Sequence, residues 1–137
     1  DAVPFGSNLT KPSTPSIPGW TPLMIADVPP LVEKVGGSSW WKIGVGSNGA
    51  GLGGPAMPAN SSAMLFFGTS DANPGPFYLT GPVWLGSQLS TPQGFATAHV
   101  PIVLTPAMIG TPGYLQWMVI DPSGWVGFSE SAVYTPL

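Results

Sequence analysis

From Trp20 onward the chain is a succession of short apolar runs, each bounded by residues that turn the backbone. In 95–104 the even positions Ala96, Ala98, Val100, Ile102 and Leu104 are apolar, while the odd ones include Thr97, His99 and Pro101. Successive side chains of a strand point to opposite faces, so the even positions form the core face and His99 points outward. Pro101 has no N–H for a ladder, which places this strand at a sheet edge or a bulge. Residues 38–46 put Trp41, Ile43 and Val45 on one face and Trp40 and Lys42 on the other. The same reading predicts strands at 20–28, 62–68, 76–80, 82–86, 113–121 and 125–135. Turns separate them at Ser47-Asn48-Gly49, Asn73-Pro74-Gly75, Thr91-Pro92-Gln93-Gly94, Thr111-Pro112-Gly113 and Asp121-Pro122-Ser123-Gly124.

No long window keeps a helical apolar stripe free of Gly and Pro. The best helical candidate is one turn at 105–110, with Thr105 as N-cap, Pro106 at the first helical position and Gly110 as the stop. The expected fold is therefore all-β: a two-layer antiparallel β-sandwich, jelly-roll-like, of about eight strands. No internal repeat suggests a propeller or solenoid. Residues 1–19 stand apart, with Pro4, Pro12, Pro15 and Pro18 among Ser and Thr and no sustained period. They are expected to be an extended, polyproline-like arm preceding a domain over 20–137. Such an arm is either a disordered leader or a segment that crosses to a neighbouring subunit and lies along a sheet edge.

Two strands carry apolar residues on both faces. In 62–68, Ala63, Leu65 and Phe67 alternate with Met64 and Phe66; in 113–121, Leu115, Trp117 and Val119 alternate with Tyr114, Gln116, Met118 and Ile120. A two-layer sandwich buries only one face of each sheet. Either a loop covers the second face, or another molecule does; an uncovered patch marks a contact surface.

Composition narrows the role. Of 137 residues 43% are hydrophobic and 7% charged, which excludes a disordered chain. The basic residues are Lys11, Lys34 and Lys42, and the net charge of -3 offers phosphate backbones no cationic footprint, so nucleic acid is not an expected partner. The absence of Cys removes disulfides and zinc–thiolate sites, leaves the redox compartment open and suits a secreted bacterial protein. Asp1 to Gly6 has no basic region, and no apolar signal segment follows, so the chain is read as a processed mature form. The uncharged stretch between Lys42 and Asp71 is broken by glycines, Pro55 and Pro58, which rules out a helical membrane span. Prolines within strands disfavour a small membrane barrel.

Candidate chemistry is sparse. A Ser-His-Asp triad would have to use His99, and no serine sits at a strand-to-helix elbow. One His and no Cys cannot build an imidazole or thiolate metal site. Among the carboxylates Asp1, Asp27, Glu33, Asp71, Asp121 and Glu130, Asp121 and Glu130 flank one turn and could approach as a glycosidase pair. Their simpler roles are a turn-forming Asp and a surface Glu. Asp71 could join a calcium site but lacks an alternating acidic loop, and an Asx-type turn is the simpler reading. Gly44-x-Gly46-x-x-Gly49 matches a dinucleotide fingerprint, yet 50–55 cannot form the helix that would hold the pyrophosphate. Asn8-Leu9-Thr10 and Asn60-Ser61-Ser62 fit the glycosylation sequon, which matters only in a host that glycosylates it. No catalytic residue, cofactor or metal ligand is expected.

Several runs carry a resemblance: Leu65-Phe66-Phe67-Gly68-Thr69-Ser70, Gly94-Phe95-Ala96, Val100-Pro101-Ile102, Met108-Ile109-Gly110 and above all Tyr114-Leu115-Gln116-Trp117 through Asp121-Pro122. Over about residues 38–135 the chain resembles an uncharacterised module found near the C-termini of secreted proteins from planctomycete-like and myxobacteria-like bacteria. The N-terminal arm has no counterpart in that pattern, and Met108-Ile109-Gly110 departs from its usual leucine. The resemblance implies secretion and a β-sandwich, and supplies no activity.

The leading expectation is a non-enzymatic, secreted structural protein that self-assembles into an extracellular filament, tube or matrix. Scarce charge and two-sided apolar strands favour contact between copies. Candidate contact residues are Phe5, Leu9 and Ile17 of the arm and Trp40, Phe66, Trp84, Tyr114 and Met118 of the strands. The alternative is a carbohydrate-binding or adhesive module in which Trp40, Tyr78 and Trp84 offer flat rings to a polysaccharide.

Overall fold

A computed structural model describes residues 5–14, 20–25, 32–35, 38–47, 57–102 and 110–136. The expected helical turn at 105–110 up to its last residue, Ile17, the end of the 20–28 run and most of the Gly44–Gly54 stretch lie outside the described residues. Nine strands are present among those described: β1 (Phe5–Lys11), β2 (Pro22–Ile25), β3 (Val32–Val35), β4 (Ser38–Ser47), β5 (Ser62–Gly68), β6 (Val83–Leu89), β7 (Ala96–Ile102), β8 (Gly113–Ile120) and β9 (Val126–Pro136). They form two antiparallel sheets packed face to face, the β-sandwich that the alternation predicts.

The large sheet has the order β1-β9-β8-β5-β6. In the small sheet β2 pairs with 44–47 of β4 and β3 with 38–41, both on the edge opposite β7, so four strands occupy three positions. Pro101 lies in β7, which takes the end position that its missing N–H requires.

The core follows the predicted faces. Ile43 and Val45 of β4 and Ala96 and Ala98 of β7 meet Ala63 and Leu65 of β5, Leu115, Trp117 and Val119 of β8, and Ala132 and Tyr134 of β9. Small residues here stand opposite large ones, which lets the layers interdigitate. Trp20 is buried between the sheets against Gly127, where an added Cβ would come within 2.8 Å of its Cζ3. Only glycine leaves room for the indole there.

Both seams between the sheets are closed by side chains. On one, Gln88 Oε1 accepts the Thr97 backbone N–H of β7 at 2.6 Å. On the other, a bulge opposite Trp117 places Ser129 and Glu130 between the pairs Gln116↔Ser131 and Met118↔Phe128. Ser129 Oγ accepts the Trp117 N–H at 2.8 Å, and Glu130 Oε1 accepts the Met24 N–H of β2 at 2.8 Å. Unpaired edge groups are thereby satisfied.

Two expectations are corrected. Residues 76–80 are a loop rather than a strand, because the segment after β5 pairs with itself: Thr80 N donates to Ser70 O at 2.9 Å and Asn73 N to Tyr78 O at 3.2 Å. The strand expected at 82–86 runs 83–89, with a register shift between Leu65 and Phe66 of its partner. Residues 5–11 of the arm are extended, as expected, and pair as β1 with β9 of the same chain, with a register shift between Leu9 and Lys11.

Candidate functional site

The outer face of the large sheet is the surface that the sequence leaves to be explained, and its layout follows from register. Directly paired residues share a face. One row across four strands is Leu89, Ser62, Ile120 and Val126; the next is Ser87, Met64, Met118 and Phe128; the third is Trp84, Phe66, Gln116 and Ser131. The first two rows carry no ionisable group, and no Asp, Glu, Lys or Arg occurs anywhere between Asp71 and Asp121.

The chain's own β5–β6 loop roofs the third row from Phe66 to Ser131, together with Phe128 at the end of the second. Phe77 lies over it, with ring centroids 5.1 Å from Phe66 in an edge-on arrangement and 5.6 Å from Phe128. Gln116, fully buried among apolar neighbours, holds the loop: its Oε1 accepts Tyr78 N at 3.0 Å, and its Nε2 donates to Pro76 O at 2.8 Å and to Ser129 O at 3.0 Å. Ser131 Oγ donates to Asp71 Oδ2 at 2.9 Å, and Tyr78 Oη donates to Pro12 O at 2.9 Å. The loop is therefore fixed to β8, to β9 and to the segment following β1.

Below that roof the face is open. Leu89 is 59% exposed and Val126 38%, while Met64, Met118 and Ile120 are half-buried. Trp125 and Phe95, on the adjoining turns, are each 41% exposed, and Trp84 at the margin of the roof is 58% exposed. The result is an apolar, uncharged surface of the kind that marks contact sites on soluble domains.

Of the expected contact residues, Phe66, Trp84, Tyr114 and Met118 come together on this one sheet. Phe5 and Leu9 lie in β1, opposite Pro136 and Ala132. Trp40 belongs to β4 of the other sheet, opposite Glu33 and Pro101, while Ile17 lies outside the described residues. Of the three aromatics proposed for glycan binding, Trp40 and Trp84 thus lie in different sheets, and Tyr78 lies in the β5–β6 loop with its hydroxyl engaged with Pro12. Sequence reasoning placed Ile120 on the second apolar face but missed Phe77, Leu89 and Val126 as determinants of the surface. The signal for Gln116 was present, as an amide among alternating apolar positions.

Asp71, Asp121 and Glu130 have structural partners. Asp121 Oδ1 accepts Ser123 N and Trp125 N, each at 2.9 Å, and its Oδ2 accepts the Trp20 indole; Glu130 is held by Met24 N. Asp71 accepts Ser131 Oγ. Lys42 pairs with His99 in the β4–β7 ladder. Among the described residues no group of three His, Cys, Asp or Glu side chains could hold a metal ion, and no helix is long and apolar enough to cross a membrane. Tyr134, buried beside Glu130, has its phenol pushed up to about 12, first by burial and then by the negative charge of Glu130. Comparisons with protein-family models, with curated proteins and with solved structures found no match for this chain.

Proposed function

We propose that this chain is a non-catalytic structural module, secreted by a bacterium, whose copies associate into an extracellular filament, tube or matrix. The observation that carries the reading is the open part of the large sheet's outer face, where Leu89, Ile120, Val126, Met64 and Met118 form two uncharged rows. A surface without charge meets its own copy with neither like-charge repulsion nor ions to desolvate. Burying one exposed Leu or Trp contributes on the order of 2 kcal/mol, whereas association costs about 4–15 kcal/mol in lost freedom. Several residues must be recruited together, and an extended face supplies them. Hydrogen bonding of Asp71, Asp121 and Glu130 within the fold supports a non-catalytic role. Secretion rests on the resemblance to modules of secreted proteins, and a chain without Cys is compatible with it.

Size-exclusion chromatography across a wide concentration range, followed by electron microscopy, tests the reading. Ordered oligomers that grow with concentration are expected; a monomer at every concentration, with no ordered polymer, overturns it. The exposure of Trp84 favours a second reading as a polysaccharide-binding module. Pull-down with insoluble polysaccharides that is lost in Trp84→Ala would support that alternative.

A further inference from the structure

Residues 5–14 follow one edge of β9 along its length. After the irregularity between Leu9 and Lys11 the register Lys11↔Ser131 leads on to Thr14↔Phe128, where Thr14 N donates to Phe128 O at 2.7 Å and Phe128 N to Thr14 O at 3.0 Å. Tyr78 Oη grips Pro12 O beside this ladder. Trp20 then enters the core against Gly127 and donates to Asp121.

We propose that the β9 edge is a docking site for residues 5–14 of a second copy of this chain, so that the arm is exchanged between copies. The inference rests on the self-association proposed above. Each partner of the arm just named, the β9 backbone from Phe128 to Pro136 and the Tyr78 hydroxyl, belongs to the sandwich body. Every copy offers the same partners, so transfer of the arm remakes the bonds it breaks, and exchange of an identical element is a low-cost route to oligomers.

The contour length of the connection exceeds what pairing within one chain requires. Thr14 and Trp20 meet β9 at the adjacent residues Phe128 and Gly127, whereas the six backbone steps between them span up to about 20 Å when extended. On two other end strands a backbone N–H is already capped by a side chain: Gln88 takes Thr97 N of β7, and Glu130 takes Met24 N of β2. The β9 edge instead presents a backbone ladder, which pairs with any strand of matching register.

The chain has no Cys, so introduced thiols report pairing directly. Asn8 stands opposite Val133, and Gly6 opposite Thr135. Copies with Asn8→Cys and one affinity tag are mixed with copies carrying Val133→Cys and another tag, then oxidised under assembly conditions. Gly6→Cys with Thr135→Cys provides a second pair, and Asn8→Cys with Ser87→Cys, on the opposite end strand, sets the background. Mixed-tag disulfides several-fold above background in either ladder pair are expected. If assemblies form but mixed disulfides stay at background, while the double variant Asn8→Cys/Val133→Cys closes only within its own chain, exchange is wrong and face-mediated association stands. Mixed disulfides confined to small closed oligomers support exchange and count against a polymer. A monomer that closes only within its own chain overturns both.

Discussion

Trp20 Nε1 donates to Asp121 Oδ2 at 3.1 Å, joining residues 101 positions apart. The other carboxylate oxygen accepts the N–H groups of Ser123 and Trp125, so one 7%-exposed side chain both closes the β8–β9 turn and holds the indole that crosses between the sheets. Hydrogen bonds to a charged acceptor contribute about 1.5–3 kcal/mol, and the abandoned donors add a desolvation cost. Asp121→Ala should therefore lower unfolding free energy by about 3 kcal/mol in urea titrations. A loss under about 0.5 kcal/mol, the range of an ordinary surface change, would contradict the assigned role.

Gln116 is the fastening of the roof. Gln116→Leu keeps the side-chain bulk but leaves Tyr78 N, Pro76 O and Ser129 O without the amide. Local opening should become easier by about 1–3 kcal/mol, so amide exchange at Tyr78 should quicken roughly ten- to hundredfold. Because Phe66 and Phe128 lie beneath Phe77, the same variant should bind hydrophobic dyes more strongly and associate at lower concentration.

Tyr134 makes stability depend on alkaline pH. Its phenol is raised from 10.0 to about 12 in the fold, so between those values the unfolded chain loses a proton that the folded chain keeps. The contribution is fully present below pH 10 and declines as pH rises towards 12, at about 1.4 kcal/mol per pH unit. Tyr134→Phe should flatten the pH dependence of denaturation midpoints in that window relative to the parent chain. Parallel curves would contradict it.

The sandwich was legible because period-two alternation is a direct record of a buried face, and Ile43, Val45, Ala96, Ala98, Leu115, Trp117 and Val119 all lie in the core. β1 left no such record: the described positions 5–11 contain Gly6, Ser7 and Asn8, and an end strand gains its place from a ladder rather than from a buried stripe. β3 is too short, at four residues, to display a period. Residues 76–80 read as a strand because Phe77, Tyr78 and Leu79 are β-formers; the partners that decide their state, Gln116 and Phe128, lie about forty to fifty positions on. The surplus of apolar faces was visible, but its division into a part roofed by the loop, Phe128 included, and an open part required the loop to be placed.

Association through the open rows is tested most directly by adding charge where it cannot disturb the core. Leu89 and Val126 are exposed and lie in one row, so Leu89→Lys/Val126→Lys should change folding stability by no more than about 0.5 kcal/mol per site. Sedimentation velocity of parent and variant over matched concentrations should show the parent assembling and the variant remaining monomeric at tenfold higher concentration or more. Identical sedimentation of the two chains, whether both assemble or neither does, would contradict the assignment of this face as the contact between copies.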